Sequence, residues 1–579
     1  MAKNIFHGGK ELLYSKQANI LSAAAVIMVM VLASRLLGLV RNRTFVHFFP
    51  PEKLDSFLAA FQLPDLIFEV LVLGAMSSAF IPVFSSYISR EKKKEAWYLA
   101  GLTLNVLLLF FLVVSIFIFI FAPQIYTVVA QGFSSEQIAQ TVSFTRILLL
   151  AQMFFAASYV LTATLESNQR FFAPAVAPLF YNLGIIFATI LFAPQIGLLA
   201  PVFGAVLGSA LHLLIQLPLA LSLGFRPVFS LDFKDKALLS VAKLALPRIL
   251  ELSFFQIKRL ADLFMASLIA GGLTYFKFAE SLSALPVGLF GLSIAKASLP
   301  QLSHQVATSQ MKSFKETFAS SFKEILFLIV PAAVLLAVLR IPFVRLAFGA
   351  RQFEWQDTVQ TGYALSAFAL GTFAYSLSLL ISRAFYALQD TGTPVKVSLF
   401  KILLNVVLGL VLVLGLGLPI WGLAFSYALA GIAENIALFA LLRRKIGGFS
   451  GFGLGTAFIK ITFAASLSGG VMFFLLRILD RSAWDKKLSF LGKLGLALPT
   501  TFDKFVLDTR YTVNLIVLTA VVAFLGLATY AFLVWLLRVP ELGIVTRALQ
   551  RLLRVRFAGV RPAVKEGEPV SPPYTNGTS

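Results

Sequence analysis

The sequence has no cysteine, few charged residues and no motif of a catalytic or nucleotide-binding site. Without cysteine, the 579 residues cannot form a disulfide or a thiolate metal site. The histidines are scattered at His7, His47, His212 and His304, and there is no HExxH motif, nucleophile elbow or glycine-rich phosphate loop. We therefore expect no enzymatic activity, no cofactor and no metal site.

Charged residues make up only 13% of the chain, whereas hydrophobic residues make up 58%. Soluble domains are about 25% charged, so this composition places most of the chain in a membrane. The net charge of +22 would suggest nucleic-acid binding in a soluble protein. Here the basic residues lie mostly in short connections between apolar runs, so we expect no nucleic-acid partner.

About fourteen apolar runs are long enough to cross a bilayer, since a transmembrane helix needs about 20 mostly apolar residues. They predict an all-α polytopic membrane protein. The first run, from Ile20, is expected to be retained rather than cleaved as a signal. The second contains Pro64 and Pro82 and is too long for a straight perpendicular helix, so we expect a kink or tilt. The runs lie at residues 20–40, 56–88, 97–122, 143–165, 172–194, 198–222, 239–269, 276–301, 319–346, 361–388, 395–416, 418–442, 453–477 and 512–537.

Basic residues are concentrated in alternate connections. The N-terminus and most even-numbered connections are basic, for example "SREKKKEAW" after run 2 and "LRRKIGGF" after run 12. Connections 3–4, 5–6 and 11–12 contain no lysine or arginine. This bias predicts that both termini are cytoplasmic. Two outer connections, at 340–351 and 480–511, carry basic residues against the bias, but an even number of spans still places both ends on one side.

Landmarks recur in the sequence about 220 residues apart. The matched pairs are Pro64 and Pro286, Pro82 and Pro300, Pro174 and Pro394, and Asn182 and Asn405. Each unit holds six runs, so both copies insert with the same orientation and are related by a pseudo-twofold axis along the membrane normal. Transporters with such repeats bind substrate between the halves. We predict a cytoplasmic N-terminus (1–19), an N-lobe (20–225), a C-lobe (226–446), two further helices with a long outer loop at 480–511 (447–540), and a basic amphipathic segment with a disordered cytoplasmic tail (541–579).

Charged residues inside the apolar runs indicate a hydrated cavity. A charge near a bilayer centre costs at least about 2.5–3.5 kcal/mol. In run 7, a stripe about 100° wide contains Arg248, Glu251, Lys258, Arg259 and Asp262. In run 2, Asp55, Gln62, Asp65 and Glu69 fall within about 80°. Individual residues could serve only to pair helices, as Arg259 and Asp262 could, but the whole set favours a cavity.

Four stretches resemble the MurJ/MviN family of lipid II flippases, in the multidrug/oligosaccharidyl-lipid/polysaccharide exporter superfamily. They are "SRLLGLVRNR", "LDSFLAAFQLPDLI", "IPFVRLAFGARQFEWQDTVQTGYAL" and "SRAFYALQDTGTPVKVSLFKILLNVVLGL". The resemblance covers about residues 20–540. It implies a substrate, undecaprenyl diphosphate carrying a disaccharide-pentapeptide, which is flipped to the outer leaflet of the bacterial cytoplasmic membrane. It also implies a cationic cavity for the diphosphate and sugar, and a groove by runs 13–14 for the lipid tail.

The resemblance also suggests substrate-binding residues. Ser34, Arg35 and Arg41 match cavity positions of the family, and Asp55 matches an acidic residue that opens run 2. Phe68 stands where many members carry arginine. Glu280 and Ser281 stand where many carry an Asp-Arg pair, and Lys277, one turn earlier, is expected to supply the missing charge. With the run 7 charges, the predicted substrate-binding residues are Ser34, Arg35, Arg41, Asp55, Lys258, Arg259, Lys277 and Glu280.

Arg35 and Arg41 do not share a helix face, since they lie about 240° apart. Arginine suits a diphosphate because its planar group forms two parallel charge-assisted hydrogen bonds. The pattern leaves open which of the two arginines makes them.

The energy source is expected to be electrical or ionic. No Walker motif is present, which argues against nucleotide hydrolysis. Intramembrane Asp262 is the best candidate to couple transport to an ion, with Asn405 as a second ligand. A second carboxylate one helical turn after Asn405 would have strengthened a sodium site, but that position is Gly409. We therefore expect transport to depend on the membrane potential, and we consider a bound monovalent cation the second possibility. Asp262 could instead merely pair with Lys258 or Arg259.

Three other functions fit part of the pattern. An exporter of another polyprenyl-linked saccharide or of drugs would share the fold, although a drug exporter would want more acids than bases in its cavity. A membrane-embedded transferase would need a reactive outer loop, and the loop 480–511 has no histidine. A non-transporting scaffold could retain the charges as ion pairs. The expected partners are the lipid-linked substrate, membrane lipids and proteins of cell-wall synthesis.

Overall fold

The computed structural model describes residues 20–228, 230–481, 506–509 and 511–543. The predicted N-terminus, most of the outer loop 480–511 and the basic tail lie outside these residues. The described chain is built almost entirely from helices, and its β-structure is an isolated bridge between Asp480 and Leu507. The prediction of an all-α membrane protein is confirmed.

The described residues form fourteen long helices, one for each predicted run. Twelve of them are long and apolar enough to cross a membrane, and the other two are α1 and α7. The helices are α1 (Ile20–Phe48), α2 (from Pro51–Ala60 to Ile81–Ser89), α3 (Lys93–Val129), α4 (Ser135–Ser167), α5 (Phe172–Ile196), α6 (Leu199–Leu214 and Leu217–Ser222), α7 (Lys236–Ser267), α8 (from Gly272–Pro286 to Leu292–Ala307), α9 (Met311–Val338), α10 (Trp355–Ala387), α11 (Gly392–Leu410, then Val411–Gly415), α12 (Ile420–Ile446), α13 (Leu454–Leu479) and α14 (Thr512–Leu536). A short helix, Arg340–Phe348, follows α9.

Helices α2 and α8 are interrupted close to their matched prolines. Helix α2 contains the short segment Gln62–Ile67 and then π-helical turns at Phe68–Leu73 and Met76–Phe80. Helix α8 contains one π-helical segment, Val287–Gly291, directly after Pro286. Proline removes a backbone donor and displaces the carbonyl one turn earlier, so the regular hydrogen bonding breaks there. The kink or tilt predicted for the second run stays a prediction, and the interrupted segments lie where a kink would form.

The helices form two lobes with the same internal packing. In the first lobe, α1 packs on α5, α5 on α6, α6 on α4, and α4 on α3. In the second lobe, the matching contacts are α7 on α11, α11 on α12, α12 on α10, and α10 on α9. Helix α2 contacts α7 and α8 where the lobes meet, while α13 packs on α9 and α14. Corresponding helices therefore make corresponding contacts, as a parallel repeat requires.

The repeat extends to the backbone conformation of the connections. Gln169 and Gln389, which follow α4 and α10, have φ of 60° and 57°. Glu91 and Ser309, which follow α2 and α8, have φ of 61° and 56°. Positive φ is uncommon for residues other than glycine. Its presence at matched positions shows that both lobes turn back into the membrane in the same way.

A polar contact fastens the connection between α10 and α11. The Lys445 ammonium at the end of α12 donates to Asp390 Oδ2 at 2.6 Å, and the Thr393 N–H donates to Asp390 Oδ1 at 3.0 Å. The hydrogen bond from Lys445 is the main reason that the pKa of Asp390 is lowered to about 2. The carboxylate is therefore ionised at neutral pH and ties this connection to α12.

Candidate functional site: a charged cavity between the lobes

A cavity of about 470 Å³ lies where the two lobes meet. The first lobe contributes side chains from α1, α2, α4, α5 and α6, and the second lobe contributes Arg259 from α7 and Lys277 from α8. Its wall includes three basic side chains, from Arg41, Arg259 and Lys277, and two acidic ones, from Asp65 and Glu69. Because cations outnumber carboxylates, the cavity favours an anionic ligand.

The two acidic residues lie one turn apart on α2, where the helix becomes π-helical. Gln152 Nε2 donates to Asp65 Oδ1 at 2.5 Å. Arg259 Nη1 lies 2.6 Å from Glu69 Oε1, and Gln256 Nε2 donates to Glu69 Oε2 at 2.9 Å. Each carboxylate is thus held by a donor from another helix, and Glu69 joins the two lobes.

The cations differ in how firmly they are held. Lys277 Nζ lies 3.1 Å from Glu280 Oε2, and both side chains are about one third exposed or more, at 32% and 41%. Arg41 makes long hydrogen bonds, of 3.3 and 3.4 Å, to its neighbour Asn42 and lies against the Phe45 ring. Neither arrangement uses all the donors of the cation. Both side chains can therefore bind an incoming anion.

Five rings form one wall of the cavity, hereafter the aromatic wall: Phe68, Phe155, Tyr159, Tyr181 and His212. Phe155 lies edge-to-face on Tyr181 and His212, with ring centroids 4.8 and 5.1 Å apart. Phe68 lies edge-to-face on Tyr159 at 5.0 Å. These rings and Gln152 were not predicted, although polar Gln152 and Tyr159 recur seven residues apart on α4, a helical spacing that could have indicated them.

Three residues carried over from the resemblance lie outside the cavity wall. Arg35 is exposed and donates to the Ala284 carbonyl of α8 at 3.0 Å. Ser34 accepts a hydrogen bond of 3.4 Å from Asn182. Asp55 is 1% exposed and accepts from the Thr274 N–H at 2.8 Å and its hydroxyl at 2.7 Å, which fastens α2 to α8. Their roles in substrate binding stay predictions.

Lys258 and Asp262 form a buried ion pair, with Nζ and Oδ2 2.5 Å apart. Lys258 also lies over the Tyr427 ring, 5.0 Å from its centroid. Of the other residues in the predicted stripe, Arg248 is exposed, and Glu251 is among the residues whose side chains the structure does not describe. Lys258 and Asp262 therefore contribute to the interior of the second lobe and not to the wall of the cavity.

A second ion pair also lies beside Tyr427. Lys401 Nζ lies 2.8 Å from Glu434 Oε2, and Lys401 is 5.7 Å from the Tyr427 centroid. This pair was not among the residues predicted from the sequence, although an intramembrane lysine and glutamate are by themselves a signal. The two pairs connect α7, α11 and α12 inside the second lobe.

The candidate ion ligands Asp262 and Asn405 are both buried. Asn405 Nδ2 donates to Ser426 Oγ at 3.0 Å, while its Oδ1 has no hydrogen-bond partner in the described structure. A side chain added at Gly409 would lie 2.8 Å from Met265 Sδ, so sulfur fills that space. Among the described residues, no group of three or more His, Cys, Asp or Glu is placed to hold a metal ion.

Two solved structures share this fold. A lipid II flippase MurJ in an inward closed conformation is 24% identical, with 87% of this chain and 98% of that chain covered and a TM-score of 0.69. An inward-facing multidrug resistance MATE family transporter of the MOP superfamily is 14% identical, with 73% and 98% covered and a TM-score of 0.63. At these identities the likeness concerns the fold.

Sequence comparison identifies the family. A probable lipid II flippase MurJ of Buchnera aphidicola subsp. Acyrthosiphon pisum is 27% identical over 441 residues, 74% of this chain and 84% of the relative. One of Rhizobium meliloti is 30% identical over 423 residues, 71% of this chain and 78% of the relative. The family model described as lipid II flippase MurJ matches residues 47–494. The chain therefore belongs to the lipid II flippase MurJ family.

Proposed function

We propose that this protein is a lipid II flippase. It takes undecaprenyl diphosphate carrying a disaccharide-pentapeptide from the inner leaflet of the bacterial cytoplasmic membrane and releases it into the outer leaflet. The N-lobe (20–225) and the C-lobe (226–446) move against each other, so that the cavity opens to one side at a time. Helices α13 and α14 provide a groove for the lipid tail.

The observation that carries this proposal is the net positive cavity between the lobes, lined by Arg41, Arg259 and Lys277. A diphosphate needs several charge-assisted donors, and arginine can supply two parallel ones. A cavity that receives cations from both lobes can bind the anion and hold the lobes around it. A cavity for cationic drugs would need an excess of carboxylates.

Substrate binding exchanges one set of ion pairs for another. Arg259 and Lys277 are paired with Glu69 and Glu280, respectively, in this structure. The diphosphate replaces these carboxylates as the partner of the cations. Because the Arg259–Glu69 pair joins α7 to α2, its replacement alters a contact between the lobes. The substrate therefore binds two arrangements of the lobes with different affinities. A ligand can drive a change from one arrangement to the other only if its affinities for them differ.

Both termini face the cytoplasm in the proposed orientation, because the basic residues are biased to those connections. Undecaprenyl-diphosphate lipids are the substrate and proteins of cell-wall synthesis are partners that supply or consume it. Ser34, Arg35 and Asp55 remain proposed substrate-binding residues, although they do not line the cavity in this structure. Membrane potential is the proposed energy source, ahead of a monovalent cation bound by Asp262 and Asn405.

The proposal is tested by depleting the protein in its own cells and labelling lipid II that is exposed on the outer leaflet. Depletion should stop the appearance of labelled lipid II while total lipid II rises. Re-expression of the intact protein should restore labelling. If labelled lipid II continues to appear at the original rate after depletion, the assignment as the flippase is wrong.

A further inference from the structure

Two arginines that do not line the cavity lie where α9 and α13 end. Arg340 begins the short helix Arg340–Phe348 that follows α9, and Arg477 lies in the last turn of α13. The two helices pack on each other, and the neighbouring side chains of Leu339 and Leu476 belong to one apolar cluster. In the proposed orientation this end of the molecule faces the outer leaflet. Basic residues are not expected there from the charge bias of membrane proteins, so they need another explanation.

Helix α10 holds Arg340 in place. A Cβ added at Gly362 would lie 3.6 Å from Arg340 Cγ, so the aliphatic part of the arginine lies directly on this glycine. The guanidinium lies over the Tyr363 ring, 5.6 Å from its centroid, and Nη1 donates to the Ala337 carbonyl at 3.1 Å. Nη2 makes no hydrogen bond in the described part of the chain, and it is not buried. Arg340 is therefore fixed in position with donors free for a ligand.

Arg477 lies close to Arg340 and has no polar partner among the described residues. Its guanidinium lies 5.2 Å from the centroid of the Phe473 ring, and it makes no hydrogen bond or ion pair within this part of the chain. Burial is the main cause of a lowered pKa for Arg340, and the positive charge of Arg477 lowers that pKa as well. The two cations therefore repel each other, and an anion bound by both would offset the repulsion.

The surroundings of this pair favour the phosphate of a lipid over a soluble anion. The exposed face of α13 that leads to Arg477 is apolar, since Phe463, Leu467 and Phe474 are 58%, 46% and 53% exposed. These residues and Arg477 lie within about 80° of one another around the helix. A lipid chain along this face brings its phosphate to the helix end. Two cations without a carboxylate favour a diphosphate over a phosphodiester, which carries a single charge.

We propose that Arg340 and Arg477 form a second anion site, outside the cavity, which takes the diphosphate of a lipid at the outer ends of α9 and α13. Nη2 of Arg340 and the guanidinium of Arg477 donate to the phosphate oxygens, and the Tyr363 ring keeps Arg340 in position. The inference rests on the proposed function, and it adds a place that holds the diphosphate after the lipid has left the cavity.

The number of undecaprenyl diphosphate molecules bound by the purified full-length protein, counted by native mass spectrometry, tests the second site. The unmodified protein should bind two molecules, and a variant with both Arg340→Gln and Arg477→Gln should bind one. Arg477→Gln alone should weaken one of the two binding steps about tenfold. Arg351→Gln is the matched control, because Arg351 is an exposed arginine of the same connection, and this variant should still bind two. A tenfold excess of phosphatidylglycerol should displace neither molecule.

The outcomes separate the second site from the proposed function. If the unmodified protein binds one molecule, or if the double variant still binds two, the second site is wrong but the flippase assignment stands. The site is also wrong if Arg351→Gln loses a molecule, since net charge then explains the effect. Displacement of one molecule by phosphatidylglycerol would overturn the assignment to a diphosphate. If the unmodified protein binds none, the proposed function itself fails. Thermal unfolding in detergent shows whether the double variant folds. If it does not, Arg477→Gln provides the test, and unchanged affinity in that variant would overturn the proposal.

Discussion

At the scale of single residues, the two arginines of α1 have different environments. Arg41 lines the cavity, whereas Arg35 reaches across to the Ala284 carbonyl of α8. The sequence predicts that the two residues lie on different faces, because their separation along a helix fixes the angle between them. It cannot predict which face meets the cavity, because the rotation of α1 depends on its packing against α5.

The first prediction compares these two arginines. Arg41→Ala should lower lipid II flipping at least tenfold, because a charge-assisted hydrogen bond to the diphosphate is worth about 1.5–3 kcal/mol. Arg35→Ala removes a contact with α8 and should lower flipping less than threefold. Outer-leaflet labelling of lipid II at matched protein levels measures both. Equal losses for the two variants would contradict the placement of the diphosphate beside Arg41.

The second prediction concerns the buried pair of Lys258 and Asp262, whose side chains are 14% and 10% exposed. Lys258→Met leaves an unpaired carboxylate in the second lobe and should destabilise the protein by about 3–5 kcal/mol. Adding Asp262→Leu to this variant removes the unpaired charge and should restore much of the stability. The unfolding temperature in detergent measures both effects. A double variant that is no more stable than Lys258→Met would show that the pair is not an isolated unit.

Side-chain partners are the part of the site that the sequence predicts least. The charge stripe on α7 identifies Lys258, Arg259 and Asp262 as buried or cavity-facing, and the structure adds that Arg259 crosses to Glu69 while Lys258 stays within α7. Adjacent residues on a helix point about 100° apart. Their partners therefore depend on neighbouring helices that are distant in sequence.

At the scale of elements, a close glycine contact joins α5 and α6. A Cβ added to Gly208 would lie 2.5 Å from the Tyr181 carbonyl oxygen, and one added to Gly184 would lie 2.6 Å from Gly208 Cα. Small residues allow membrane helices to approach this closely. The prolines of the second run predicted a kink or tilt in α2, but this contact has no comparable signal, since glycine is frequent throughout the chain.

The third prediction tests this contact. Gly208→Ala should destabilise the protein by about 1–3 kcal/mol, because the added methyl group meets backbone rather than a movable side chain. The control is Gly431→Ala on α12, where a Cβ would meet nothing within 4 Å. That substitution should leave stability unchanged or raise it by up to about 1 kcal/mol. The unfolding temperature should therefore fall for Gly208→Ala and should not fall for Gly431→Ala, and equal shifts would refute the close-contact explanation.

At the scale of the whole molecule, the repeat is the feature that the sequence predicts best. Matched prolines such as Pro174 and Pro394 occupy the third residue of α5 and of α11. Such landmarks survive in sequence because backbone geometry requires them. The aromatic wall and the acid-rich face of α2 belong to one lobe only. No internal comparison of the two halves could have predicted them.

The fourth prediction concerns the orientation of the whole molecule. The chain has no cysteine, so single cysteines can be introduced without background labelling. Cysteine in place of Ser134, in the connection between α3 and α4, should react with a membrane-impermeant thiol reagent in intact cells. Cysteine in place of Lys93, at the start of α3, should react only after the cells are opened. Labelling of the Lys93 position in intact cells would reverse the proposed orientation.

The fifth prediction concerns the energy source. Moving an anionic diphosphate from a negative cytoplasm to the outer face is favourable by about 2.3 kcal/mol per charge for each 100 mV. A cation bound by Asp262 would compete with the Lys258 ammonium, which already lies 2.5 Å from Oδ2 of the carboxylate. The electrical route therefore leaves the Lys258–Asp262 pair intact, whereas the ionic route disturbs it. Collapsing the membrane potential with an ionophore, at constant pH and sodium concentration, should stop lipid II from reaching the outer leaflet. If the rate is unchanged, an ion gradient acting through Asp262 becomes the better explanation, and Asp262→Asn should then abolish flipping without unfolding the protein.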